Sequence, residues 1–87
     1  QFSAELRAGA DLLSRLEDGA VIVVGSSLFF APDVTPEMIT DKHLLFIVGA
    51  VAVCPKPLLG TVQANSIVGN MVMDEEAYEA FRKKYKV

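Results

Sequence analysis

The sequence predicts an α/β domain, built as a short β-β-α solenoid of about three units of about 20–24 residues with helical caps. Two observations predict this fold. β-Branched apolar runs recur along the chain, and each contains a valine followed by a glycine, at residues 24–25, 48–49 and 68–69. Each run is followed by a segment with helix-start signals, and strands that alternate with helices are typical of a parallel sheet. A small α+β sandwich with a mixed or antiparallel sheet stays open as the alternative.

The length and composition indicate one small domain with an unusually apolar surface. The chain has 87 residues, which suits a single domain covering residues 1–87. Hydrophobic residues make up 52% of it and the mean hydropathy is +0.37, which is high for a domain whose surface must also be polar. We therefore expect part of the apolar surface to meet a protein partner. Because the first residue is Gln1, we also expect the chain to be a piece of a longer one.

The charge and the apolar runs argue against two classes of partner. The formal net charge of −3 argues against nucleic acid, because binding to phosphates requires clustered Lys and Arg. The longest apolar run, Leu44–Cys54, is about half the roughly 20 residues that a membrane span needs, so no membrane span is predicted. Cys54 is the single cysteine, which rules out an internal disulfide and favours the cytoplasm.

A helical cap is predicted for residues 1–19. Phe2, Leu6, Leu13 and Leu16 recur at helical spacing and predict an amphipathic helix over about residues 3–17. Ser3 is placed as its N-cap and Gly19 as its end.

Three units follow, at residues 20–43, 44–65 and 66–87. The first is predicted to hold the strand Ala20–Val24, a corner at residues 25–27, a second run at residues 28–31 and a short helix opened by Thr35 and Pro36. The second repeats this order around Gly49, with a helical segment at residues 57–63 that ends at residues 64–65. The third repeats it around Gly69, with Asp74 as the N-cap of a longer C-terminal helix that serves as the second cap.

The units resemble leucine-rich-repeat β-α solenoids in length and in the order of their elements. Pro32 and Pro55 are 55 − 32 = 23 positions apart, and Gly49 and Gly69 are 69 − 49 = 20 positions apart. That family's motif has an asparagine and leucines at fixed positions, whereas these units carry Val-Gly pairs, with Asn70 in the third unit alone. The resemblance implies a parallel stack over residues 20–87, and it carries over no functional residue.

No residues are predicted to be catalytic, to bind a cofactor or to hold a metal. Asp33, Glu37, Asp41 and His43 are the densest set of acid-base or ligand groups, but each also suits a turn or a helix end. The buried context of Cys54 indicates an inert thiol. The leading functional hypothesis is a non-catalytic protein-interaction or assembly module. The alternative is a metal-dependent or small-molecule-binding enzyme fragment that uses those four residues.

The candidate interface residues are Val21, Val23, Tyr78 and Tyr85. Val21 and Val23 lie in the strand Ala20–Val24, which has no charge and no proline and is predicted to be an unpaired edge of the sheet. Tyr78 and Tyr85 share the apolar side of the last helix, whose polar length is predicted to cover the opposite end. The expected partner is protein, either a second copy of the chain or the rest of a longer one.

Overall fold

The structure, a computed structural model, describes residues 2–85, with side chains described from residue 5. The strands are β1 (Phe2–Ala8), β2 (Val21–Phe30), β3 (Leu45–Val48), β4 (Val51–Cys54), β5 (Ser66–Val68) and β6 (Met71–Asp74). The helices are α1 (Ala10–Ser14), α2 (Pro36–Thr40), α3 (Leu59–Ala64) and α4 (Glu75–Tyr85), and a 3₁₀ turn at Lys56–Leu58 leads into α3.

Every strand pair in the described part of the chain is parallel. β1 pairs with one side of β2, while β3 and β4 pair with the two halves of its other side. β5 then continues from β3 and β6 from β4. The sheet therefore has four levels, which are β1, β2, β3 with β4, and β5 with β6. This confirms the α/β class, and the alternative with an antiparallel sheet is wrong.

Glycines lie above one another at the middle of three levels. These places are inside β2, between β3 and β4, and between β5 and β6. A Cβ built on Gly49 would lie 2.8 Å from the carbonyl carbon of Gly25 and still closer to its oxygen, and one built on Gly69 would overlap the carbonyl of Gly49 in the same way. The amide of Gly49 donates to the carbonyl of Val24 at 2.8 Å, and that of Gly69 to Val48 at 2.9 Å. Gly49 and Gly69 thus occupy equivalent places, as predicted. β2, however, continues through Gly25 as one strand, so the corner predicted at residues 25–27 is wrong.

The main core lies between one face of the sheet and the helices α1, α2 and α3. Alternate residues of β2, β3 and β4 point to this face, because successive side chains of a strand point to opposite sides. Phe30 and Phe46 meet edge to face there, with ring centroids 5.2 Å apart. Each of the three helices contributes a fully buried side chain, namely Leu13, Ile39 and Val62.

The predicted N-terminal helix over residues 3–17 is wrong. Residues 2–8 form β1, and the helix α1 is only five residues long, with Gly9 rather than Ser3 at its N-cap position. Phe2 and Leu6 are four positions apart, which fits two strand repeats as well as one helical turn. Pairing with β2 selects the strand, because the backbone groups of β2 from Val23 to Phe30 gain partners when β1 pairs with them.

The remaining helix boundaries agree with the local signals. Thr35 and Pro36 open α2, and Asn65 ends α3. The Asp74 carboxylate accepts a hydrogen bond from the Ala77 amide at 2.7 Å, which confirms it as the cap of α4. Of the helices in residues 2–85, none is both long and apolar enough to cross a membrane.

Candidate interaction surface

Within residues 2–85, the face of the sheet opposite the main core is covered on one half only. In that half, Val51, Val53 and Met73 form a second apolar cluster with Phe29 and with two aromatic residues of α4, Tyr78 and Phe81. The Phe29 and Tyr78 rings meet edge to face with centroids 5.3 Å apart. Helix α4 therefore lies on this face of β2, β4 and β6, opposite to the side on which α1–α3 pack.

The other half of the same face carries an apolar surface without a covering element in residues 2–85. We define the outer strip as the outward residues of this half, which are Val21, Val23, Leu45, Ile47 and Ile67. Val21 pairs with Leu45, and Val23, Ile47 and Ile67 follow one another across three strands. None of the five belongs to, or packs against, either apolar cluster. Val21 is 47% exposed and Ile67 62% exposed.

The candidate interface residues fall in three different environments. Val21 and Val23 lie in the outer strip, and Tyr85 is 59% exposed beside the Phe81 ring. Tyr78 is half-buried against Phe29, so much of its ring serves to hold α4 on the sheet. Sequence reasoning missed Leu45, Ile47 and Ile67 as surface residues. The signal that could have found them is the strand alternation, because it places them on the same face as Val21 and Val23.

The predicted unpaired edge is at a different place. β1 pairs with β2 from Val23 to Phe30, so the strand that begins at Val21 is internal and not an edge. The edges of the sheet within residues 2–85 are β1 at one end and β5 with β6 at the other. Helix α4 does not cover the second edge, because it packs on the faces of β4 and β6.

The four candidate ligand residues serve separate local roles. The Asp33 carboxylate accepts a hydrogen bond from the Ala10 amide at 3.2 Å, at the start of α1. Glu37 and Asp41 line a groove of about 390 Å³ between α1 and α2. His43 turns away to Asp18, with 3.1 Å between its Nδ1 and the carboxylate. Among the described residues, no three His, Cys, Asp or Glu side chains are grouped as a metal site would require.

Lys42, which sequence reasoning did not single out, closes the end of α1. Its ammonium group donates to the carbonyls of Leu13, Ser14 and Leu16 at 3.1, 2.7 and 2.8 Å. These carbonyls lie at and beyond the last turn of the helix, where backbone acceptors have no partner within the helix and a positive charge is favourable. Lys42 is therefore a structural residue that ties α1 to the loop after α2.

Cys54 is an inert thiol by its surroundings. It is fully buried at the end of β4. Burial, with smaller contributions from the negative charges of Asp74 and Glu75, raises the pKa of the Cys54 thiol from 9.0 to about 11. The reactive species is the thiolate, so a raised pKa opposes a nucleophilic role.

Comparison of the chain with protein-family models, with curated proteins and with solved structures finds no match.

Proposed function

We propose that the domain is a non-catalytic protein-interaction module that binds another protein through the outer strip. One observation carries the proposal, namely the contrast between the two halves of a single face. Both halves present apolar side chains in the same strand register. Within residues 2–85, the aromatic side of α4 covers one half, and no element covers the other half.

The free energy available at the bare half favours a partner. Burying a fully exposed Val, Leu or Ile side chain stabilises by about 1.5–3 kcal/mol. Val21 and Ile67 retain about half of their surface, so covering each would contribute about 1 kcal/mol or more. Val23, Leu45 and Ile47, which join these two residues, are half-buried. Apolar surface that is left partly exposed in this way marks interaction sites in proteins.

An amphipathic helix of the partner is the occupant that the geometry favours. The strip crosses three strands, which spans about 10 Å and equals the diameter of a helix. On the adjacent half of the same face, α4 occupies the equivalent place and contacts it through Tyr78 and Phe81. We infer that the partner places a similar apolar helix side on the outer strip.

The proposal includes the finer description of the fold as a short solenoid of the leucine-rich-repeat size class, with units at residues 20–43, 44–65 and 66–87. The stacked glycines and the row of α1, α2 and α3 along one face support it. Solenoids bind partners through extended surfaces formed by neighbouring units, and the outer strip takes residues from each of the three units.

Site-specific photo-crosslinking in cells that express the protein tests the proposal. A photoreactive phenylalanine analogue at position 67 is expected to crosslink to a peptide of another protein, and Val21→Lys in the same chain is expected to abolish the crosslink. The matched control places the analogue at position 63, an exposed residue of α3 on the opposite side of the molecule. Equal crosslinking from positions 67 and 63, or a crosslink at 67 that survives Val21→Lys, would count against the outer strip.

A further inference from the structure

The free edge formed by β5 and β6 carries backbone groups that face no partner within residues 2–85. The amides of Gly69 and Asn70 donate to Val48 and Ala50, each at 2.9 Å, and so point into the sheet. Backbone groups of neighbouring strand residues point to opposite sides, so those of Val68, next to Gly69 at the end of β5, point away from it. A row of free donors and acceptors of this kind is a template for another strand.

This edge lacks the features that normally prevent such pairing. Residues 66–73 contain no charged residue and no proline, and the one charged residue of this edge, Asp74 at the end of β6, caps α4. Lysines, prolines and bulges are the usual protection of an edge strand. Ile67 and Met71 are 62% and 52% exposed. The edge at the other end of the sheet differs, because β1 carries Glu5 and Arg7.

We propose that the edge of β5 and β6 binds β1 of a second copy of this chain, in parallel, so that copies stack head to tail. This inference concerns the edge of the sheet and does not depend on a partner at the outer strip. Its first support is register. Leu6 pairs with Leu28, Leu28 with Ala52, and Ala52 with Val72. β1 thus has the direction and the side-chain alternation that a strand added beside β6 would need.

The side chains of β1 also suit the new position. Leu6 and Ala8 would extend the core side beyond Val72, which is half-buried and packs on the main core. Glu5 pairs with Ser27 in its own sheet, Ser27 with Val51, and Val51 with Met71. In the stack, Glu5 of one copy would therefore lie beside Met71 of the next on the outer side, and both residues are exposed.

The proposed contact joins two different surfaces, the edge of β5 and β6 on one copy and β1 on the next. An interface of this kind keeps adding copies unless the rotation between neighbouring copies closes them into a ring. Sedimentation velocity over a concentration series, up to millimolar, is the test. The expected result is an average mass that rises past the dimer without a plateau. A mass that stays monomeric, or that saturates at the dimer, overturns the proposal and leaves the edge to a strand of a different protein.

Charge variants at position 71 test the register itself. Met71→Lys places an ammonium group beside Glu5 of the next copy, and Met71→Glu places a second carboxylate there. The association constant is expected to rise about two- to five-fold in the first and to fall by a similar factor in the second. Adding Glu5→Lys to Met71→Glu should restore the association. Equal association of Met71→Lys and Met71→Glu, or a double variant no stronger than Met71→Glu, overturns the register.

Two controls separate this edge from folding defects and from the outer strip. Thermal melts should show that the Met71 variants fold, as expected for a side chain that is 52% exposed. Val21→Lys alters the outer strip and leaves both edges intact, so it should leave the stacking unchanged. Loss of stacking in Val21→Lys would instead assign the association to the outer strip and overturn the edge proposal.

Discussion

Replacing Gly49 with alanine tests how the levels of the sheet stack. The added Cβ would lie 2.8 Å from the carbonyl carbon of Gly25, and 2.8 Å is closer than side-chain carbons approach one another in well-packed proteins. The two levels must separate to relieve this overlap. Such a shift weakens the hydrogen bonds from Gly49 to Val24 and from Ala50 to Ser26, both 2.8 Å long.

The magnitude follows from these terms. Two backbone hydrogen bonds contribute about 1 kcal/mol each, and overpacking of this kind costs about 1–3 kcal/mol. We expect Gly49→Ala to lower the free energy of unfolding by about 3–5 kcal/mol. A domain of 87 residues has a total of about 4–13 kcal/mol, so the variant should be close to unfolding.

Urea denaturation of the wild type and of two alanine variants measures the effect. Gly60→Ala is the matched control, because a Cβ at Gly60 meets nothing within 4 Å and the residue lies inside α3. There alanine should stabilise by up to about 1 kcal/mol. The reasoning would be refuted by Gly49→Ala melting at the same urea concentration as Gly60→Ala.

The remaining predictions concern Lys42 and Cys54. Lys42→Met should lower the free energy of unfolding by about 1–2 kcal/mol in urea melts, because the carbonyls of Ser14 and Leu16 lose their donor and that of Leu13 keeps only the Leu16 amide. Lys83→Met on exposed α4 should change it by less than about 0.5 kcal/mol. A smaller effect at Lys42 than at Lys83 would contradict this. The raised pKa of Cys54 favours the protonated thiol in the fold, so its contribution to stability is complete below pH 9.0 and is lost as the pH rises towards about 11. Melts at pH 8 and above should show this loss in the wild type and a weaker one in Cys54→Ala, and parallel curves for the two proteins would argue against a buried thiol.

The outer strip shows how much of the surface strand alternation can predict. The runs around Gly49 and Gly69 predicted strands, and alternation within them places Ile47 and Ile67 on one face. The half of this face that α4 leaves uncovered could not be predicted, because α4 could have packed on either half. Contacts such as that of Tyr78 with Phe29 join residues 49 positions apart, and local spacing does not specify them.

The sequence by itself determined the segments whose signals are local. Thr35 with Pro36 opened α2, Asp74 opened α4, and the glycines at 49 and 69 marked equivalent places, because capping bonds and close backbone approach depend on the residue present. Only the tertiary structure decided the state of residues 2–8. Their apolar spacing fits a strand and a helix equally, and pairing with β2 supplies the hydrogen bonds that select the strand. The same pairing makes β1, and not β2, the edge strand of the sheet, because an edge strand has a neighbour on one side only.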